Sequence, residues 1–404
     1  MVEATGQAAD WAHLRAASAR LLDARIEPFA PESLARYRRF ALSRPCGTAQ
    51  QPAWVEGWVR HAVDEGFFVS VASGETTWLM LPLEVVRSGP CRVARFVGGK
   101  HANANFPAMA PNAASARTQD LAAGIIRAVR QSRPDIDALL FERMAAEQEG
   151  KRNPLVAEGA PESANLAFSV SLEGGFEAAL ERGSDKRRPK RHRQRSNRFK
   201  AAGGFRRIEA RDPADVKRLL DFFFACKEKW FRAAGISNVF AEAGTQAALT
   251  DVFTRALDEE RPSFTLQGLE VGGTLRAVSA ASVIGKRITV EFASFAHDEL
   301  AKLSPGQFLF HLNIEEACRL GFEFYDFGVG DEAYKRDWCD TATAHHDMVL
   351  PVSLKGRAYV GVLGAAARGK RALKRHPALW NAFKRLRRRL AGDSKEHADR
   401  EAEA

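Results

Sequence analysis

Glu291 is the one carboxylate inside an otherwise apolar run, Ile288 to Phe295. Burial in such a strand strips solvent from the charged form, which raises the carboxyl pKa toward the range where a general base works. Strict alternation offers the other reading, a glutamate on the strand's solvent face. A short polar loop then leads to Ser304-Pro305-Gly306-Gln307 at the mouth of a helix. A helix amino terminus offers unpaired amides and a positive dipole end, and a glycine there lets a phosphate approach the backbone, so this is a candidate diphosphate seat. The same four residues also describe an ordinary cap, with Ser304 at N-cap and Pro305 at N1. A third segment reads FYDFGVGDEAYKRDW, Phe324 to Trp338. In it a strand ends at Asp326, a turn containing Gly328 follows, and Tyr334 and Lys335 come next. Polar groups at the carboxyl end of a strand, beside the mouth of the preceding helix, stand where ligands sit in α/β sheets. The plainer alternatives are a polar turn capped by Asp326 and a Tyr334 that only packs. No H-R-D loop or V-A-I-K strand accompanies the D-F-G-x-G, which sets protein kinases aside.

The elements that must position these residues occur twice. From Trp54 the pattern predicts a helix (54–63), three strands (67–72, 77–86, 91–97) separated by turns at Ser73-Gly74 and Ser88-Gly89-Pro90, a polar loop with Gly98, Gly99, Asn103 and Asn105, a helix (118–130) and a buried strand (138–141). Beyond a strand at 166–172 and a basic stretch come a strand (205–210), a helix opened by Asp212-Pro213 and a helix from Glu242 to Leu257. A second meander (263–270, 275–284, 288–295), a helix (305–320) and a strand (324–327) complete the unit. Meander, loop, helix and strand follow one another in both halves, a structural duplication in a mixed α/β fold. The expected divisions are a lead-in over 1–52, with a helix at 10–22, a first lobe over 53–150, a linker over 151–165, a second lobe over 166–357 and a tail over 358–404.

The 404 residues carry a formal charge of +10, concentrated around Lys186 to Lys200 and Arg368 to Arg389. The first stretch reads as a solvated helix charged all round, or as a lid over an anionic acceptor. Aromatic interleaving is nearly absent from it, which argues against single-strand readout, so nucleic acid is not an expected partner. The tail interleaves Leu379, Trp380, Phe383 and Leu386 with lysines and arginines, a basic amphipathic helix suited to an anionic membrane surface or a partner protein. Five scattered cysteines form neither a disulfide framework nor a zinc site. Adjacent His345 and His346 point to opposite faces of a strand and cannot share a metal, so none is assigned. Met1 to Arg15 lacks a signal pattern and no apolar run spans a bilayer, which together predict a cytoplasmic protein with at most peripheral contact at the inner membrane face.

Over roughly Ala53 to Arg357 the order of elements, Leu303-Ser304-Pro305-Gly306, and Tyr325-Asp326-Phe327-Gly328-Val329-Gly330 followed by Tyr334-Lys335 resemble the GNAT-like acetyltransferases of the CelD/BcsL group, which are similar to Fem-type aminoacyltransferases. The resemblance implies tandem GNAT-like lobes, each a mostly antiparallel central sheet flanked by helices. It implies acetyl-CoA or another acyl-CoA as cosubstrate, held between splayed strands 288–295 and 324–327 and on the loop 302–307. The cofactor contacts would be Phe292, Ser294, Phe295, Ser304, Pro305, Gly306, Gln307 and Gly328. The loop departs from the Arg/Gln-x-x-Gly-x-Gly/Ala pattern and keeps Gly306. By resemblance Glu291 is the base, Tyr334 protonates the thiolate, and Asp326 and Lys335 stand beside them. The implied reaction moves an acyl group to an amine or hydroxyl of a sugar, nucleotide-sugar or polysaccharide precursor. The alternatives are a Fem-like transferase using aminoacyl-tRNA and a non-catalytic GNAT-like module in envelope polysaccharide assembly.

Overall fold

The computed structural model describes residues 22–330 and 332–374, with side chains as far as residue 364. Two central sheets account for nearly all the strands. In the first lobe, β1 (Asp23–Pro28) is followed by α1 (Pro31–Ala41) and α2 (Pro52–His61), and then by the meander β2 (Gly66–Ser73), β3 (Thr76–Ser88), β4 (Cys91–Phe96). Gly74 and Gly89 adopt positive φ at the two hairpin tips, the conformation that makes the tight reversals possible. A short strand β5 (Ala108–Met109), the helix α3 (Thr118–Ser132) and β6 (Ala138–Ala145) follow. Leu121, Ile125 and Val129 form the buried stripe of α3 and pack with Phe67, Leu83 and Phe141.

A small hairpin, β7 (Glu147–Gln148) and β8 (Lys151–Arg152), leads to β9 (Ala167–Ser171), α4 (Gly175–Arg182) and α5 (Arg188–Ala201). The second lobe continues with β10 (Phe205–Glu209), α6 (Pro213–Ala234), α7 (Ala243–Ala256) and the meander β11 (Phe264–Val271), β12 (Thr274–Ile284), β13 (Arg287–Phe295). Asp212 caps α6 by accepting a 2.8 Å bond from the Asp215 amide. Then come α8 (Pro305–Arg319), β14 (Phe324–Val329), α9 (Ala333–Trp338), β15 (Thr341–Thr343), β16 (His345–Pro351) and α10 (Leu354–Lys374). None of the described helices is long and apolar enough to cross a membrane.

The duplication is visible in the pairing. The first sheet runs β1-β2-β3-β4-β6-β16 with β5 beside β3, and the second runs β10-β11-β12-β13-β14-β9-β15. In each, the last meander strand pairs in parallel with the strand after the helix for three residues only: Val93 to Arg95 with Ala138 to Leu140, and Arg287 to Thr289 with Phe324 to Asp326. The other strand pairings in the two central sheets are antiparallel, giving two lobes of like topology.

Several expected boundaries shift. Residues 23–52 are not a lead-in: β1 completes the first sheet beside β2, and Tyr37 and Phe40 of α1 are buried in a core with Phe68 and Met80. The expected linker 151–165 contributes Leu155 and Val156 to the first core. The second lobe does not reach 357 as one sheet, because β16 crosses back to pair with β6 of the first. Local periodicity cannot reveal such an exchange, since each strand looks the same wherever it pairs. The helix expected at 10–22 and the tail beyond Lys374 lie outside the described residues.

The lobes are joined by a shared core. Trp54 and Trp58 of α2 pack with Leu249, Val252 and Phe253 of α7 and with Phe264, and the Trp54 indole donates to the Val97 carbonyl at 3.1 Å. The two helices approach closely at Gly57, where a methyl group would meet Val252 Cγ2 at 2.8 Å and the Ala248 carbonyl oxygen at 3.1 Å. Gly57→Ala gains about 1 kcal/mol of helix propensity, but crowding a packed contact costs ~1–3 kcal/mol. A net loss on the order of 1 kcal/mol is expected, read as a lower urea midpoint at unchanged slope. A raised midpoint would show that α2 and α7 have room to part.

Candidate functional site

β13 leaves β14 after Thr289. Its pairing with β12 is also interrupted: Ala281 faces Val290 and Ala280 faces Phe292, so Glu291 is the extra residue of a β-bulge. A bulge re-aims the side chain it carries, and alternation ceases to predict its face. Glu291 is therefore not on an open solvent face. Its Oε1 accepts from the Ser282 hydroxyl at 2.6 Å and its Oε2 from the Asn103 amide at 2.8 Å. Surrounding protein pushes its pKa up to about 7: burial raises it most, the hydrogen bonds from Ser282 and Asn103 oppose, and the charge of Asp326 adds to the rise.

Past the bulge, Ala293, Ser294 and Phe295 line a cavity of about 330 Å³. Its other walls are Ser304, Gly306, Gln307, Leu309 and Phe310 of the α8 region, Glu332 and Tyr334, and Lys227 and Trp230 from α6. This volume lies within the range of small-molecule pockets, ~300–1,000 Å³. Ser304 does not act as the expected cap. It adopts φ 50° and its side chain makes no capping hydrogen bond, so the first amides of α8 are left to other partners. Pro305 at N1 has no N–H, and Gly306 is pressed against Phe295, where a Cβ would lie 3.3 Å from the ring. The positive end of a 15-residue helix thus opens on the cavity.

The basic stretch is a docked helix, not one solvated all round. Arg188, His192, Arg195 and Phe199 lie on one face of α5. Arg188 sits 3.7 Å over the Trp338 ring, His192 stacks on Phe308 at 4.5 Å and on His311 at 3.5 Å, and Phe199 is fully buried. Burial, followed by the charge of Arg195, lowers His192 to about 4, so this face is neutral at its centre. Arg195 donates to the Gln307 side chain at 3.5 Å, which places a guanidinium beside the α8 amino terminus. The opposite face leaves Lys190, Arg193, Arg198 and Lys200 exposed.

Of the residues singled out by sequence, Ser294, Phe295, Ser304, Gly306, Gln307 and Tyr334 come together at the cavity. Tyr334 stacks on Phe310 at 5.7 Å and meets Phe327 edge-on, and burial, then Glu332, raises its phenol well above the ordinary tyrosine value. Pro305 is buried at the start of α8. Phe292 lies elsewhere: the bulge turns it to the other face, 4.2 Å from Phe223 in a cluster with Phe253. Asp326 and Lys335 are committed to the turn. Asp326 accepts from the Gly328 amide at 2.7 Å and pairs with Arg287 at 3.0 Å, while Lys335 donates to the Val329 carbonyl at 2.8 Å and pairs with Glu332 at 3.0 Å. Gly328, at φ 69°, makes that turn and abuts Asn103. Lys227, Trp230 and Asn103 were not singled out. The first two look like ordinary members of an amphipathic helix, and Asn103 lies 188 positions from its partner. Asp347 accepts from the Arg143 amide and the Ser163 hydroxyl.

Residues 185–336, which span α5 to α9, match the family model described as an acetyltransferase (GNAT) domain. The crystal structure of FemX superposes with a TM-score of 0.55 at 10% identity, covering 80% of this chain and 97% of that one. The structure of L-PGS from Bacillus licheniformis gives 0.50 at 11% identity, covering 81% and 95%. No curated protein matches in sequence. At these identities the structural likeness shows the fold alone, one shared with FemX and L-PGS.

Because the folded state holds the Glu291 proton up to about pH 7, against an ordinary value of 4.5, the native form binds more protons than the unfolded one in between. Stability contributed at this site is therefore full at low pH and falls as pH rises through 7. Glu291→Gln cannot ionise, so its melting temperature relative to wild type should climb between about pH 4.5 and pH 7 and level off above that. A difference independent of pH would mean that Glu291 titrates normally.

Proposed function

We propose that this chain is an acyltransferase that moves an acyl group, most simply acetyl, from acyl-CoA to an amine or hydroxyl of a sugar, nucleotide-sugar or polysaccharide precursor. The observation that carries the reading is the uncapped amino terminus of α8 opening on a cavity walled by the last residues of β13, with a proton-holding carboxylate just upstream on that strand. The saccharide class of acceptor rests on kinship with the CelD/BcsL group, which belongs to the same proposal.

The residues present suit the cosubstrate. The amides of Gly306 and Gln307, with Arg195 beside them and Lys227 in the cavity wall, offer positive charge to a diphosphate. Ala293, Leu309 and Phe310 offer an apolar wall to a chain lying along β13. When bound, acyl-CoA supplies an activated thioester. Glu291 takes the proton of the attacking amine or hydroxyl, a task matched to a carboxyl near pKa 7. Tyr334, kept protonated by its raised pKa and lining the same cavity, delivers a proton to the departing sulfur. Asp326 and Lys335 act through the backbone, by holding the turn that carries Tyr334 into place.

A ligand that binds only the folded chain raises its melting midpoint, by about 2.7 kcal/mol of stability at a hundredfold excess over Kd. Acetyl-CoA or a longer acyl-CoA should do so for wild type and not for Gly306→Glu. That carboxylate sits in the first turn, where it suits the helix dipole but confronts the diphosphate; the Phe295 ring must shift by a few tenths of an ångström, so circular dichroism serves as the folding control. Retained affinity in the variant would reduce the loop to a helix start. A wild-type chain that binds aminoacyl-tRNA and no acyl-CoA would overturn the reading.

Tyr334→Phe preserves the stack on Phe310, so folding and acyl-CoA affinity should hold while turnover drops by ~10²-fold or more, the range for loss of a general acid. Wild-type turnover in the Phe variant, with loss only in Tyr334→Ala, would make Tyr334 a packing residue.

A further inference from the structure

The two lobes differ at one corresponding place. In the second, β13 runs unbroken from Arg287 to Phe295, leaves β14 after Thr289, and lines the cavity with its last residues. In the first, the chain itself covers the corresponding place. β4 stops at Phe96, an eleven-residue excursion leaves the sheet, and the chain returns as β5 beside the same strand, β3, with Met80 opposite Ala108. On the way back Asn105 bonds to β6: its amide donates to the Arg143 carbonyl at 2.9 Å, its carbonyl accepts from the Ala145 amide at 3.0 Å, and its side chain donates to the Glu142 carbonyl at 2.8 Å. A two-residue pairing with β3 and a single parallel bridge from Asn105 to Met144 of β6 hold this segment where the second lobe has no counterpart strand.

The excursion reaches across to the second lobe. Its His101 stacks against Trp58 and meets Phe240, and its Asn103 ends at the bulge of β13. The Asn103 side-chain amide donates to Glu291 Oε2 at 2.8 Å, to the Glu291 carbonyl at 3.0 Å and to the Val290 carbonyl at 3.3 Å. Three acceptors around one group fix it as the NH₂ end, which settles the orientation of the amide. Its Cγ lies 3.2 Å from where a Cβ on Gly328 would be, so the amide bridges the parted strands at the base of their divergence.

We propose that the first lobe serves the second as a positioning device, and that Asn103 is the residue that sets the orientation and proton affinity of Glu291. The inference rests on the reading of Glu291 as the proton acceptor. Glu291 has no cationic partner among the described residues. The groups around it are the neutral Ser282 and Thr48, Asn103 itself, and the carboxyl of Asp326 on β14, which is paired with Arg287. A donor to the carboxylate favours the ionised form, and Asn103 supplies it at a bulge where the strand's own ladder does not.

The test uses the full chain labelled with carboxyl ¹³C-glutamate, with Glu291 assigned by its loss in Glu291→Gln. In Asn103→Ala the Glu291 titration midpoint should rise by ~1 unit, a tenfold change in proton affinity. In Asn103→Asp, close to isosteric, a second carboxylate should raise it further. The acid limb of kcat/KM should move the same way, with KM for acyl-CoA unchanged. A midpoint unmoved in both folded variants would overturn the proposal and leave Asn103 a structural strut. If Glu291→Gln keeps full transferase activity, the catalytic reading of Glu291 fails, yet the titration still decides whether Asn103 governs that carboxyl.

Discussion

The divergence of β13 from β14 is the constraint on which the rest depends. Three paired residues, Arg287 to Thr289 against Phe324 to Asp326, are enough to hold the strands together at one end. Beyond them each strand must satisfy its backbone elsewhere, since unpaired buried amides are costly. β13 does so with β12, through a bulge, and with the Asn103 side chain, which takes up the Val290 and Glu291 carbonyls. β14 does so with β9 and with a turn clamped by Asp326 and Lys335. The cavity lies past the bulge, on the stretch of β13 that no longer pairs with β14.

That division explains which features could be read from residues. The meanders, helices and final strands of both lobes follow hydrophobic periodicity and turn residues, which are local, and their positions emerge within a few residues. Ser304 and Gly306 were legible as a helix mouth. The actual conformation of Ser304 was not, because αL backbone at a serine carries no sequence signature. Glu291 was legible as an anomaly in an apolar strand, while the bulge that decides its direction depends on pairing with β12. Phe292 was misplaced for the same reason, since the bulge and not local alternation sets the face it takes. Asp326 and Lys335 have the residue types of a catalytic pair, but type cannot distinguish a free group from one spent on a turn. The basic stretch looked charged on all sides because Arg188 and His192 count as polar, although one covers the Trp338 ring and the other stacks on Phe308.

The docked basic helix also bears on the departure of the α8 loop from the usual phosphate pattern. A phosphate seat needs donors and positive charge, and neither has to come from the loop itself. Here α5 lies against α8 and sets Arg195 within reach of Gln307. On the proposed reading, a cation delivered from a different element meets the same electrostatic requirement while leaving no trace in the loop's own sequence.

Two copies of one fold need not keep two sites, and the chain's path shows how one site came to depend on both. β9 precedes the second meander in sequence and completes the second sheet beside β14, whereas β16 follows it and completes the first sheet beside β6. Neither sheet closes without strands from both sides of the second meander, so the lobes cannot drift apart without breaking ladder hydrogen bonds. The aromatic core of Trp54, Trp58, Phe253 and Phe264 fixes their remaining freedom. Only within such a fixed frame can an asparagine in one lobe hold a carboxylate in the other at 2.8 Å, because that bond tolerates displacements of a few tenths of an ångström. The strand exchange, which looks like a detail of topology, is thus what makes a cross-lobe hydrogen bond a dependable part of the site.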